Sequence, residues 1–163
     1  MRLPATEEPL TPLRLSLVDN SFLHDEVCDG IQAVEGSHHK HLDATIRGDF
    51  ADSLDLDKAM QPGHEQENRW DYLLGHLPSA AIVALEPHFA KHDQISTVIQ
   101  KKEAARVQLR DHLKPGKRVA RWLWVASGRV HFANTEKDVR RLDQKGIQFV
   151  GKVLAKHLRD LNG

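Results

Sequence analysis

Two apolar segments joined by a short link constrain the fold of this chain more than any other feature. Residues 70–76 and 81–89 are rich in aromatic and β-branched side chains, and Leu77-Pro78-Ser79-Ala80 separates them. Segments of this composition at this separation are typical of neighbouring antiparallel strands. The pattern therefore predicts a β-hairpin in the middle of the chain.

The residues after the hairpin predict a long helix followed by a strand. Asp93 or Ser96 can cap a helix that runs over about 96–113, where Pro115-Gly116 ends it. Residues 119–126 are strongly apolar, as expected for a buried strand. The remaining elements that we expect are a turn at Ser127-Gly128, a short strand over 129–132, a helix from Asn134 or Thr135 to Gly146, a strand over 147–150 and a terminal helix over 152–161.

The part of the chain before the hairpin is less regular. Leucines alternate with polar residues over 13–18, which predicts a short edge strand after a flexible, proline-containing arm of residues 1–12. The other expected elements are a first helix from Asn20 or Ser21 to Gly36, a short helix beginning near Ser53 and a loop over 61–67.

Length and charge fit a single α/β domain. A chain of 163 residues buries about 68–70% of its unfolded surface in one core. The predicted order of strands and helices indicates a mixed sheet of about five strands flanked by helices. Lys and Arg number 23, as do Asp and Glu, so the net charge gives no argument for nucleic acid. A local basic patch can still attract phosphate, because clustering matters more than the total.

Cysteine content and hydropathy favour the cytoplasm. Cys28 is the single cysteine and cannot form an internal disulfide, which fits a reducing compartment. The first nine residues lack the basic start and the run of about 7–15 apolar residues of a signal peptide. No stretch approaches the roughly 18 apolar residues of a membrane span. We expect a cytoplasmic protein without a membrane partner.

The predicted hairpin carries three residues that together favour metal chemistry. Glu86 and His88 are two positions apart on one strand, so they project from the same face, and the partner strand can bring Asp71 beside them. Two neighbouring carboxylates raise each other's pKa unless a cation neutralises them. Mg²⁺ prefers one or two carboxylates with water and phosphate oxygens, so Asp71 and Glu86 are candidate ligands of Mg²⁺ or Mn²⁺. His88 would orient or deprotonate the attacking water.

Asp71 followed by Glu86-Pro87-His88 resembles the motif of the PD-(D/E)xK nuclease superfamily. The core of that family is a helix, a three-stranded meander, a second helix and a fourth strand, and its acids bind the metal that cuts a phosphodiester bond. The resemblance covers roughly residues 22–126 and implies a restriction-endonuclease-like fold, with Asp71 as the first acid and Glu86 as the second. This sequence departs from the pattern at Pro87, between the site positions, and at His88, which stands where the family has lysine.

In some members of that superfamily the second helix supplies the lysine, which makes Lys102 the candidate here. On a helical wheel, Lys102 and Arg106 fall in the middle of an apolar stripe that contains Ile95, Val98, Ile99, Leu109 and Leu113. A cation facing the sheet is costly unless it pairs with Glu86 or a phosphate. The alternative is that both long side chains reach water from the edge of the core.

An acid from the first helix often completes a metal site of this kind. Glu35, at the end of that predicted helix, is the candidate third ligand, with Glu26 as the alternative. The ordinary explanation of both is a solvated helix residue.

Histidines offer a second kind of metal site. His38, His39 and His41 lie within four residues, but their spacing matches neither a helical pair nor a zinc module, which favours a solvated loop. His88 and His92 with Glu86 are a further zinc alternative. Trp70, Trp122 and Trp124 fit a core better than a surface for stacking bases.

These observations support two classes of function. The first is metal-dependent phosphodiester hydrolysis, or nucleic-acid binding by a relative that has lost it, with Lys102 stabilising the developing charge. Carboxylates that converge on a basic cleft would favour it. The second is a non-catalytic protein-interaction module, which an exposed apolar patch with Asp71 and Glu86 pointing apart would favour. The sequence has no Gly-rich phosphate loop and no Gly-x-Ser-x-Gly elbow, which disfavours ATPases and serine hydrolases.

Overall fold

The predicted hairpin is present and lies at the centre of the sheet. The computed structural model describes residues 10–130, 136–155 and 158 of the chain. These residues form a six-stranded mixed sheet whose strands follow the order of the sequence. The strands are β1 (Cys28–Asp29), β2 (Phe50–Asp55), β3 (Tyr72–His76), β4 (Ala81–Ala90), β5 (Val119–Val130) and β6 (Ile147–Phe149). Strands β1 to β4 pair antiparallel, while β5 is parallel to β4 and β6 is parallel to β5. The predicted α/β class with a mixed sheet is thereby confirmed.

One long helix makes the crossover between the parallel strands. The α-helices of the described residues are α1 (Pro12–Ser16), α2 (Leu56–Met60), α3 (Ile95–Leu109) and α4 (Glu136–Gln144). Parallel neighbours such as β4 and β5 need a long connection, and α3 provides it. In the described part of the chain, no helix is long and apolar enough to cross a membrane.

Strand alternation gives the sheet two buried faces. Leu73 lies opposite Ala84 on one face, which we call the α3 face because α3 packs there. Leu74 lies opposite Val83 on the other face, where side chains from residues 31–46 and from the chain after β6 pack. The side chains that α3 contributes to the core of its face are Ile95, Val98, Ile99, Ala105 and Leu109.

The edge strand predicted over 13–18 is wrong, because these residues form the helix α1. The buried carboxylate of Asp52 accepts hydrogen bonds from the backbone N–H groups of Leu13 (3.0 Å) and Arg14 (3.2 Å). These are N–H groups that a helix leaves without intrahelical partners at its start. Leu13 and Leu17, four residues apart, are both fully buried. Residues 11 and 12 also belong to this packed segment and not to a flexible arm, since Thr11 and Pro12 are buried.

The first helix predicted to end at Gly36 is also wrong. Ser21 does cap a helical turn, its hydroxyl accepting from the N–H of Leu23 (3.1 Å), but this 3₁₀ helix covers only Phe22–Glu26. The short strand β1 and turns follow. Val27 packs on the α3 face and Val34 on the opposite face, so they cannot belong to one helical stripe.

Three further boundaries differ from the prediction. A strand, β2, occupies the residues around Ser53, and the short helix expected there is α2, capped by Asp55, whose carboxylate accepts from the N–H of Lys58 (2.9 Å). Strand β5 continues through Ser127-Gly128, where Gly128 adopts a φ of 86° that suits glycine, so no turn divides it. Helix α3 ends at Leu109.

Several expectations are confirmed, and others lie outside the described residues. The loop over 61–67 and the strand β6 are present as predicted. Helix α4 is present, but its predicted cap at Asn134 or Thr135 lies outside the described residues. The same holds for residues 1–9 of the expected arm. The terminal helix expected over 152–161 is wrong over residues 152–155, which are not helical and where Leu154 forms an isolated β-bridge with Leu42; of its other residues only 158 is described.

Candidate active site

The register of the hairpin places Asp71 beside Glu86. Pairing between β3 and β4 ends with Tyr72 opposite Leu85, so the next residue of each strand is past the ladder. The backbone N–H of Asp71 donates instead to the Glu86 carboxylate, at 2.9 Å from Oε1. Glu86 is fully buried, on the α3 face, and Asp71 remains partly exposed. The predicted convergence of these two carboxylates is therefore present.

Lys101 of α3 supplies the cation at this carboxylate pair. Its ammonium Nζ donates a hydrogen bond to Oε2 of Glu86 and lies 3.6 Å from Oδ1 of Asp71. The side chain of Lys101 is 14% exposed, so the ion pair is largely withdrawn from water. An ammonium so placed compensates the charge of a carboxylate that would otherwise be costly to bury.

Lys102, predicted to be this cation, is on the other flank of α3. It is buried as the helical wheel predicts, but its ammonium donates to the backbone carbonyl of Lys145 and lies 5.4 Å from the ring centroid of Trp122. The assignment of Lys102 to the carboxylate pair is thus wrong. Consecutive helix residues are about 100° apart, so Lys101 and Lys102 face different strands.

Electrostatics at the site reveal an excess of negative charge. Burial and the neighbouring Glu86 raise the pKa of Asp71 from its ordinary 3.8 to about 7. Burial alone would lower the pKa of Lys101, but Glu86 and Asp71 outweigh it and raise that pKa. Lys101 remains charged, and when Asp71 is ionised the two carboxylates together carry more charge than one ammonium neutralises.

His88 is held between Glu86 and Gln94. Its Nδ1 lies 3.3 Å from Oε2 of Glu86, and its Nε2 lies 2.7 Å from Oε1 of Gln94. The hydrogen bond to Glu86 raises the pKa of His88 against the opposing effect of burial. With both ring nitrogens facing acceptors, His88 positions Glu86 in this arrangement and has no free nitrogen to take a proton from water.

The candidate third metal ligand, Glu35, does not join this site. It is exposed, and its carboxylate accepts from the hydroxyl of Ser37 (3.1 Å). Its backbone N–H donates to the hydroxyl of Tyr72, whose side chain packs on the face opposite to α3. Glu26 is exposed as well. Both were predicted on a first helix that the structure does not contain.

The histidine cluster of residues 38–41 is structural. His38 bonds the Tyr72 hydroxyl (2.7 Å), and His41, which is buried, bonds the carbonyl of Lys152 (2.9 Å). The expected solvated loop is therefore wrong. The zinc alternative of His88, His92 and Glu86 is also not formed, because in the described residues these three side chains do not converge as metal ligands, and His92 lies 3.2 Å from Asp138 instead.

Asp71 and Glu86 fit a hard divalent cation better than zinc. Within residues 10–130, 136–155 and 158, no three His, Cys, Asp or Glu side chains converge as metal ligands. The donor set is two carboxylates, and Mg²⁺ accepts so few protein ligands because it keeps several waters. Burial and Glu86 raise the pKa of Asp71, and a bound cation would favour the ionised form of this carboxyl group.

Asp71 gives the stability of the protein a testable dependence on pH. The pKa of Asp71 is higher in the folded state, at about 7, than in the unfolded chain, at 3.8. Protonation of Asp71 therefore stabilises the folded state fully below pH 3.8, and this stabilisation is lost as the pH rises through about 7. Relative to Asp71→Asn, we expect the wild type to lose on the order of 3 kcal/mol between pH 4 and pH 7. Urea unfolding of both proteins across this range measures the difference, and parallel profiles would contradict the expectation.

Sequence reasoning missed Lys101 and Gln94 among the residues of the site. Gln94 precedes α3 and Lys101 lies one residue from the lysine chosen. The register of the hairpin predicts the Asp71–Glu86 pair, but it does not show which flank of α3 lies over that pair, so it could not identify Lys101.

Comparisons of the chain with models of protein families, with curated proteins and with solved structures found no match. What the protein does must therefore be argued from its own residues.

Proposed function

We propose that the protein is a metal-dependent phosphodiester hydrolase of the nuclease type. The observation that carries the proposal is the convergence of Asp71, Glu86 and Lys101 at the end of an antiparallel strand pair and beneath the helix that follows it. Converging carboxylates are the arrangement that we expect of the hydrolase, whereas Asp71 and Glu86 pointing apart beside an exposed apolar patch would have favoured an interaction module.

The order of elements supports the same proposal. Strands β2, β3 and β4 form an antiparallel meander, α3 crosses over, and β5 lies parallel to β4. This is the order of meander, second helix and fourth strand in the PD-(D/E)xK core that the motif resembles, and we propose a restriction-endonuclease-like fold on that basis. The first helix of that core has no counterpart over residues 22–36, so the proposed site does not include Glu35.

Each residue of the site has a distinct role in the proposed reaction. Asp71 and Glu86 hold Mg²⁺ or Mn²⁺, which when bound supplies an activated water and neutralises charge on the phosphate. Lys101 presents a fixed positive charge where negative charge develops on the phosphate oxygens. His88 and the N–H of Asp71 hold the buried Glu86 carboxylate in one orientation.

Cleavage of labelled single- and double-stranded DNA and RNA tests this proposal. We expect the full chain to cut at least one of these substrates with Mg²⁺ or Mn²⁺ and to stop when the metal is chelated. Glu86→Gln should lower the rate by about 10²–10³-fold, because it removes a charge that acts on the reacting groups.

The matched control is Glu26→Gln, which neutralises an exposed carboxylate outside the site and should cut at the wild-type rate. Absence of metal-dependent cutting by the wild type on all four substrates would overturn the proposal. Equal rates for Glu86→Gln and Glu26→Gln would overturn the assignment of the site.

A further inference from the structure

A cavity of about 960 Å³ lies beside the C-terminal half of α3, on the flank opposite to Lys101. Trp122 of β5 and Lys102 of α3 line it, and both are at least nine-tenths buried. The loop between α3 and β5 and the last residues of α4 form the other walls. None of Asp71, Glu86 and Lys101 lines this cavity, so it is separate from the candidate active site.

The walls of the cavity are strongly basic, although the chain as a whole has no net charge. Glu103 and Asp143 are its two acidic lining residues, against seven basic ones, which leaves an excess of five positive charges. The end of α3 contributes only about half a negative charge through its dipole, far less than this excess. Besides Lys102, the basic lining residues are Arg106, Arg110, Lys114, Lys117, Arg118 and Lys145.

The buried ammonium of Lys102 is the strongest indication that this cavity binds an anion. It is 9% exposed, and no carboxylate of the described residues lies within ion-pair distance of its ammonium. Burial, and after it the positive charges of Arg106 and Lys145, lower its pKa. A buried cation without an anion is costly to keep, and a bound anion would relieve that cost.

The approach of Gly146 to Lys102 shows that the chain is built closely around this ammonium. A Cβ atom at position 146 would come within 2.7 Å of Nζ of Lys102, and Gly146 also has a φ of 68°, which disfavours other residues. Lys145, whose backbone carbonyl accepts the hydrogen bond from Lys102, directly precedes Gly146. The Lys145 carbonyl thus holds the Lys102 ammonium at the wall of the cavity.

We propose that this cavity binds a compact ligand carrying several phosphate groups. Its volume is that of a small-molecule site, and its charge excess matches a ligand with three to five negative charges. Phosphate oxygens accept hydrogen bonds from Lys and Arg side chains, and the buried face of Trp122 provides an apolar surface beside them. This site does not depend on the proposed hydrolase, since it uses other residues.

Inorganic tripolyphosphate is the probe that tests the proposal, with binding measured by calorimetry on the full chain at physiological salt. We expect saturable binding and at least a tenfold loss of affinity in Lys102→Met, which keeps the length of the buried stem. The double variant Lys117→Gln/Arg118→Gln, on the exposed loop, should also weaken binding. Lys40→Met, which removes an exposed lysine on the opposite side of the sheet, should bind as the wild type does.

The outcomes separate the proposal from its alternatives. Binding that is equal in all four proteins, or no binding, would overturn it. Binding of a single-stranded oligonucleotide through Lys102, Lys117 and Arg118, with no binding of tripolyphosphate, would overturn the compact ligand in favour of a nucleic-acid surface. If Lys102→Met does not fold, the loop double variant and Lys40→Met decide alone. A negative binding result would not bear on the proposed hydrolase, because the cleavage experiment with Glu86→Gln tests residues that do not line this cavity.

Discussion

Lys101→Met is expected to lower metal-dependent cleavage by about 10²–10³-fold while Mn²⁺ binds at least as tightly as to the wild type. The ammonium of Lys101 contacts both carboxylates of the candidate site, so its removal leaves Asp71 and Glu86 with more uncompensated negative charge. A divalent cation would then be more strongly attracted, although the charge that assists the reaction is gone. Loss of cleavage without loss of metal binding distinguishes a role in the reaction from a role in holding the metal.

The measurement pairs cleavage rates with Mn²⁺ titration by calorimetry, using Lys40→Met as the control for loss of an exposed lysine. Removing one partner of a buried ion pair destabilises a protein by about 3–5 kcal/mol, so thermal melts must show that the variant is folded at the assay temperature. A folded Lys101→Met that cuts as fast as Lys40→Met would contradict the assignment of Lys101.

Gly75→Ala is expected to destabilise the protein by about 2–4 kcal/mol. A Cβ atom at position 75 would lie 1.8 Å from Oδ1 of Asp52 and 3.1 Å from Cβ of Pro12. Asp52 cannot move away freely, because its carboxylate accepts the N–H groups of Leu13 and Arg14 at the start of α1. The added methyl group therefore either displaces α1 from the sheet or breaks these hydrogen bonds.

Urea unfolding of Gly75→Ala measures this loss, and Gly36→Ala serves as the control, since a Cβ atom there meets nothing within 4 Å. We expect the control to change the free energy of unfolding by less than about 0.5 kcal/mol. In an Asp52→Ala background, Gly75→Ala should cost less than in the wild type, because the clashing carboxylate is absent. An unchanged cost in that background would show that Asp52 is not the cause.

The sequence was sufficient to predict the carboxylate pair, because a hairpin fixes which residues lie opposite each other. The four-residue link after His76 sets the register, and a period of two then puts Asp71 and Glu86 on one face. The order of α3, β5 and β6 was likewise readable from apolar segments and from the breaks between them. These predictions depend on local patterns within each segment and on short links between them.

The choice between Lys101 and Lys102 could not be made from the same pattern. A helical wheel identifies the residues that face the sheet, and Lys102 does face it. The wheel does not identify which strand lies under each flank of the helix. That depends on the position of α3 over β4 and β5, which the crossover determines. Lys101 meets β4 on one flank, and Lys102 meets Trp122 of β5 on the other.

The segments before β2 were mispredicted for a different reason. Leucines at 13, 15 and 17 alternate as in a strand, but a carboxylate 39 residues away, on Asp52, stabilises the helix α1 instead. Val27 and Val34 are seven residues apart, a spacing that fits one face of the predicted first helix, yet the chain passes from one face of the sheet to the other between them. Tertiary contacts of this kind override local propensity and leave no trace in a short window of sequence.

The order of the strands also determines when the Asp71–Glu86–Lys101 cluster can form during folding. Each strand pairs with its neighbours in the sequence, and the four-residue link between β3 and β4 closes the shortest loop, so we expect this hairpin to have the least chain entropy to overcome. The parallel pairing of β5 with β4 closes a longer loop that contains α3, so we expect it to form later. Glu86 lies on β4, which belongs to both parts, and we expect its carboxylate to become buried when α3 brings Lys101 over it. The buried ion pair therefore joins the early and late parts of the fold and is completed only when both have assembled.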